Sequence, residues 1–140
     1  MAKNDTESFE KKLDAADNYD DFFEENSSQL KHIHPGEYIL ALMEEKDFKK
    51  TEIISKVNIN TGYVYEILRN EKHPERDKML QFAFALDLNI DETQNLLKRC
   101  GYAQLYCRNH RDSIIIFCIN RKATLGEANA LLNKYEFSEL

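Results

Sequence analysis

Over residues 49–70 the apolar positions fall into two short helical faces. Ile53, Ile54 and Val57 stand at i, i+1 and i+4, and Val64, Ile67 and Leu68 at i, i+3 and i+4. Asn58, Ile59 and Asn60 lie between them, a polar interval too short for anything but a tight turn. Such a turn needs a residue with φ > 0, and after glycine, asparagine tolerates this best, so the pattern predicts a left-handed Asn58. Ile59 is expected to return to the core, and Asn60 to cap the amides of the second helix. This layout suits a DNA-reading pair of helices, and it equally suits any two packed helices.

The same periodicity organises the rest of the chain. Tyr19, Phe22 and Phe23 predict a short helix or docking segment within 18–30, after a mobile stretch over 1–15. Pro35 and Gly36 open a helix carrying Tyr38, Ile39, Leu42 and Met43, which ends near Lys46 and Asp47. A loop over 71–74 leads to a helix that buries Met79, Leu80, Ala83, Phe84 and Leu86. Asp91 and Gln94 form a capping pair for a fifth helix, with Leu96, Leu97 and Cys100 inward and Gly101 as its left-handed end. Residues 108–120 read either as a helix capped by Asn109 or as a buried strand. Helix is preferred because no second strand is present to pair with it. Thr124 and Glu127 then cap a last helix that turns Leu125, Ala128, Leu131, Leu132 and Tyr135 inward. The prediction is an all-α chain with an acidic segment over 1–30, a five-helix domain over 34–101 and a helical pair over 102–140.

The net charge of −6 at first argues against a polyanionic partner, but residues 1–30 hold three lysines against nine acids and account for all of it. The remainder is neutral, and Lys46, Lys49, Lys50, Lys56, Arg69, Lys72, Arg76 and Lys78 cluster around the two-helix segment. A local cationic stripe is enough for phosphate contacts, since screening limits exposed charges to about 8 Å at physiological salt. Cys100, Cys107 and Cys118 lack the spacing of a disulfide framework or a zinc site. The longest apolar run, 114–119, is far too short to span a bilayer, and the chain opens on a polar, charged stretch. Free thiols and no export signal lead to the expectation of a cytoplasmic protein.

Catalytic patterns are missing. Glycines at 36, 62, 101 and 126 build no phosphate-cradling loop, and no Ser/His/Asp or Cys/His set has workable spacing. His32 and His34 form an H-x-H pair without a supporting carboxylate or thiol, which reads as linker histidines rather than a metal site. Neither catalysis, a metal nor a cofactor is expected.

The helix order, with a tight pair in second and third place, resembles the lambda-repressor-like (Cro/Xre-type) helix-turn-helix family over about 36–101. Ile53, Val57, Ile59, Asn60, Val64, Ile67 and Pro74 fit that family's pattern, while Asn58 replaces its turn glycine and Ile54 the alanine at the helix crossing. The stretches HPERDKML and ETQNLLKRCGYAQLYCRNHRDSIIIFCIN also resemble a longer bacterial subfamily with a C-terminal helical pair. The resemblance implies a transcriptional regulator, repressor-like, that reads double-stranded DNA through residues 60–70. It turns Thr61, Gly62, Tyr65 and Glu66 toward base edges and sets Lys50, Asn60, Arg69 and Lys72 beside phosphates. The base-facing set is unusual: no Arg, Gln or Asn lies within 61–66 to make a bidentate base contact. A homodimer through 108–137 is expected, because one module covers only one half-site. The alternative is a helical adaptor for a kinase or other regulatory protein partner that has lost DNA binding.

Overall fold

The computed structural model describes residues 2–27 and 34–140, with side chains from residue 6 onward. It is all-α among the described residues, with helices α1 (Ala2–Ala15), α2 (Tyr19–Asn26), α3 (Pro35–Lys46), α4 (Lys50–Lys56), α5 (Thr61–Leu68), α6 (Arg76–Ala85), α7 (Ile90–Arg99), α8 (His110–Asn120) and α9 (Leu125–Lys134). None is long and apolar enough to cross a membrane. The chain divides into two compact units, Met1–His32 and Ile33–Leu140.

In the first unit the stretch expected to be mobile is helical instead. Its composition favours this, with Glu7 and Lys11 at the i, i+4 spacing that supports an exposed helix. Phe9 of α1 gives α2 something to pack on: the rings of Phe9 and Phe22 meet edge-on at 5.3 Å, and Phe22 is buried. Asn18 caps α2 by accepting from the Asp21 N–H at 2.9 Å. Tyr19 and Phe23, the other members of the aromatic trio, remain exposed. Residues 28–30 of the expected segment, and His32 of the histidine pair, lie outside the described residues.

The second unit holds α3–α9 around one core, with Ile39, Ile53, Val64, Ile67, Met79, Leu80, Phe82, Leu86, Leu96, Leu97, Ile115 and Leu132 fully buried. Within residues 108–120, His110–Asn120 form a helix, capped by Asn109 as expected. Several details differ from the sequence reading. Phe82 is buried and Phe84 only half-buried, because α6 is covered on most sides. The cap of α7 is Asn89 with Glu92, two residues before the expected pair. Gln94 instead bridges to the loop after α7, donating to the Leu105 carbonyl at 2.8 Å and accepting from its N–H at 2.7 Å. Tyr135 faces solvent, 49% exposed.

Six of the seven helices in this unit end in the same way. A left-handed residue (Asp47, Asn70, Asp87, Gly101, Lys122, Glu136) follows the helix. The N–H of the next residue then returns to a carbonyl five positions back, as in Phe48 to Met43, Leu88 to Ala83 and Phe137 to Leu132. That bond closes the last turn, and an apolar residue beyond it usually packs back on the helix. Phe48, Leu88, Tyr102, Ala123 and Phe137 fill that place, and only Glu71 after α5 is polar. Five of the six left-handed positions carry a side chain, at a cost of about 1–2 kcal/mol each relative to a relaxed backbone.

The C-terminal pair is joined to the five preceding helices by crossed ion pairs. The dipeptide Arg-Asp opens both α6 (Arg76, Asp77) and α8 (Arg111, Asp112), and each arginine grips the other helix's aspartate. Arg76 donates to both oxygens of Asp112 at 3.1 Å, and Arg111 to both oxygens of Asp77 at 2.9 and 3.0 Å. Arg76 also reaches the Ala103 and Gln104 carbonyls, and Arg111 the Ser138 carbonyl, so two loops hang on the same forks. Asp112 is buried and takes a further bond from the Tyr106 N–H at 3.0 Å.

Three outcomes follow for unfolding experiments. Glu136→Gly removes a left-handed side chain against a smaller entropic loss, raising stability by about 0.5–1 kcal/mol and Tm by roughly 2 °C. Asp112→Ala leaves Arg76 without its buried partner and costs about 3 kcal/mol. Arg111→Ala, at the more exposed pair, costs about 1 kcal/mol. Equal losses for Asp112→Ala and Arg111→Ala in denaturant titrations would refute the unequal roles of the two pairs.

Candidate nucleic-acid interface

Helix α5 is anchored at its C-terminal end. The first turn of α3 lies directly on it at Gly36, where an added Cβ would overlap the Ile67 carbonyl oxygen and stand 2.9 Å from that of Leu68. Only glycine permits that approach. Val64, Ile67 and Leu68 are buried, while Thr61 and Gly62 in the first turn are exposed. Asn60 caps this turn, its Oδ1 accepting from the Gly62 N–H at 2.9 Å and more weakly from that of Tyr63 at 3.4 Å.

The turn between α4 and α5 does not use the expected left-handed Asn58. Val57 is extended, and Asn58 is absent from the positive-φ positions. The segment is tied down from outside instead: the Asn58 N–H donates to Oε1 of buried Gln81 on α6 at 2.7 Å. Sequence reading missed Gln81, whose one signal is a glutamine within an otherwise apolar stretch of α6. Ile59 is half-buried against the core, as expected.

Two lysines lie against α5, each over a tyrosine ring. The Lys50 ammonium lies 5.8 Å from the Tyr65 ring centre, and that of Lys78 lies 5.4 Å from Tyr63. Residues two apart leave opposite sides of a helix, so the two ammonium groups lie on opposite sides of α5. Lys50, which the resemblance set beside a phosphate, thus lies against Tyr65, which it turned toward base edges, and Asn60 caps the turn that holds Thr61 and Gly62. Glu66 is half-buried one turn further on.

Arg69 and Lys72 lie at the other end of α5, about 12 Å along its axis. Lys72 is exposed. Arg69 is occupied: its Nε and Nη2 donate to the two Glu71 oxygens at 3.1 and 3.0 Å. Arg69's hydrogen bonds hold the Glu71 carboxyl below the usual carboxylate range, and the same pairing raises the arginine further. Glu71 is therefore ionised at neutral pH.

The thiols Cys100, Cys107 and Cys118 are free, and burial pushes Cys100 up to about 11 and Cys118 upward. Among the described residues no three His, Cys, Asp or Glu side chains cluster as metal ligands would.

Gln81→Met keeps the shape of the side chain but withdraws the acceptor from the Asn58 N–H. Stability falls by about 1–2 kcal/mol, and the Asn58 amide exchanges with solvent faster than its neighbours in α4. Unchanged exchange at Asn58 would mean that Gln81 does not hold the turn.

Comparison of the chain with family models, with curated proteins and with solved structures returns no match, so its functional reading rests on its own side chains.

Proposed function

We propose that residues 34–140 form a sequence-specific, repressor-like DNA-binding transcriptional regulator of the lambda-repressor-like (Cro/Xre-type) helix-turn-helix kind, acting in the cytoplasm as a homodimer. Residues 60–70 are its recognition segment. The observation that carries this reading is the exposed first turn of α5, capped by Asn60, with the Lys50 and Lys78 ammonium groups over Tyr65 and Tyr63 of the same helix. A helix N-terminus attracts anions, and flanking cations strengthen it for a phosphate backbone. Thr61 can offer its methyl to thymine, Tyr65 its hydroxyl, and Glu66 an acceptor to the cytosine amino group. Lys50, Asn60 and Lys72 serve phosphates, and Arg69 does so once it exchanges Glu71 for a phosphate oxygen.

One observation favours a second reading. The closed Arg69–Glu71 pair, with no Arg, Gln or Asn within 61–66, suits a surface for a regulatory protein partner, such as a kinase, rather than for bases. Salt-dependent binding to duplex DNA separates the two.

Lys50→Ala and Lys72→Ala each weaken binding to every duplex alike and flatten the salt slope by about 1. Thr61→Ala and Glu66→Ala change the preferred sequence, at about 1–3 kcal/mol on the best site and little on random DNA. Glu71→Gln releases Arg69 and tightens binding to all duplexes by a few-fold, with a slope steeper by about 1. Fluorescence anisotropy from low to moderate salt reads all five variants. An unchanged slope in Lys50→Ala and Lys72→Ala removes the DNA reading and leaves the adaptor.

A further inference from the structure

The core covers only part of α8. Ile114, Ile115, Cys118 and Ile119 are buried, whereas Phe117 stands 49% exposed on the outer side. There it lines a groove of about 700 Å³ against α9, with Arg121, Glu127, Ala130, Leu131 and Lys134. A second hollow of about 400 Å³ continues it along Ile114, Phe117, Leu131 and exposed Tyr135. The result is an apolar strip centred on Leu131, with Phe117 and Tyr135 on one flank and Glu127 and Lys134 on the other.

The order of charges along that second flank identifies what covers the strip. Glu127 and Lys134 are seven residues apart, two turns on one side of α9, or about 10 Å. A parallel neighbour would set like charges side by side. An antiparallel copy of the same helix, related by a two-fold axis between Ala130 and Leu131, sets each Glu127 beside the Lys134 of the second copy. These two pairs are then reciprocal, as contacts across an isologous interface must be, while Arg121, over the Phe117 ring at 4.7 Å, and Lys122 line the same groove. The small Ala130 at the axis lets the helices approach closely.

We propose that the outer face of α8 and α9 is a two-fold interface with a second copy of this chain, α9 against α9 antiparallel, closed by two reciprocal Glu127–Lys134 pairs over Leu131 and Phe117. It supplies the dimer that the proposed DNA-binding role calls for. It is read without DNA, so its failure removes the homodimer from that reading and leaves the salt-dependent phosphate contacts to their own test.

Sedimentation equilibrium of the full chain, DNA-free, from about 1 to 200 µM tests it. The wild-type protein dimerises within that range, and Leu131→Glu is monomeric throughout. Lys134→Glu places two like-charged pairs across the axis and raises the dissociation constant by about tenfold. The double variant Glu127→Lys/Lys134→Glu restores it to within about threefold. Glu127 also caps α9, accepting from the Thr124 N–H at 2.9 Å, so the double variant can lose helix content. Glu127→Gln/Lys134→Glu keeps that acceptor and removes the repulsion, and it dimerises better than Lys134→Glu alone. Three results overturn the proposal: a wild-type monomer over the whole range, which would leave the face to a foreign partner; a dimer that survives Leu131→Glu; or neither double variant dimerising better than Lys134→Glu.

Discussion

The crossed Arg-Asp pairs between α6 and α8 are the constraint on which the second unit's arrangement depends. Each dipeptide sits in the first turn of its helix, where an aspartate is favoured by the helix dipole and an arginine is not. Crossing resolves the conflict, because each guanidinium finds the other helix's carboxylate in the fork geometry that suits both. Arg76 has its remaining donors on the Ala103 and Gln104 carbonyls, so the loop between α7 and α8 is shaped by the same group. The helical pair is therefore built into the core rather than appended. Ile115 and Leu132 are as fully buried as Met79 and Leu80. A fragment ending after α7 would expose that shared surface.

Helix α6 carries this constraint to the candidate site. Its first turn grips α8, Lys78 lies over Tyr63, and Gln81 one turn later holds the segment before α5. A helix with these tasks has no solvent face of ordinary width, which is why it buries Gln81, Phe82, Ala83 and Ala85 along with Met79 and Leu80. From the other side Gly36 fixes the C-terminal end of α5. The exposed end of α5 is thus positioned from both directions, by a backbone approach that only glycine allows and by a side-chain acceptor that stands in for a turn glycine.

What could be read from the sequence was local. The bounds of α3, the cap of α5 by Asn60, the cap of α8 by Asn109 and that of α9 by Thr124 all follow from residues within four positions of each other. What could not be read was of two kinds. The left-handed helix ends fall on Asp47, Asn70, Asp87, Lys122 and Glu136, and a lysine or glutamate does not announce such a conformation; only Gly101 did. The misplaced expectation at Asn58 has the same origin, since an asparagine permits a left-handed turn without requiring it. The second kind is long-range. Arg76 with Asp112, Gln81 with Asn58 and Gln94 with Leu105 are separated by 36, 23 and 11 residues, and no periodicity links them. At the candidate site, Lys50 and Tyr65 were legible only through the family resemblance, which set one beside a phosphate and the other at base edges; the structure adds that they lie against each other. The occupation of Arg69 by Glu71 was not legible, because any flexible pair two residues apart has many alternatives.

The tyrosines of α5 have a place that helix periodicity does not show. The family resemblance assigned a role to Tyr65 alone, at base edges. Each tyrosine is half-buried, and its open face carries a lysine. A cation over an exposed ring gains about 0.5–1 kcal/mol, a useful part of the roughly 2 kcal/mol of rotamer freedom that a lysine loses on binding. Tyr63 and Tyr65 therefore hold the ammonium groups in place before any anion arrives. On the proposed function the first contribution of these rings is to the phosphate contacts, not to sequence preference. On the same proposal the selectivity rests on Thr61, Glu66 and the Tyr65 hydroxyl, while the ring faces orient charge.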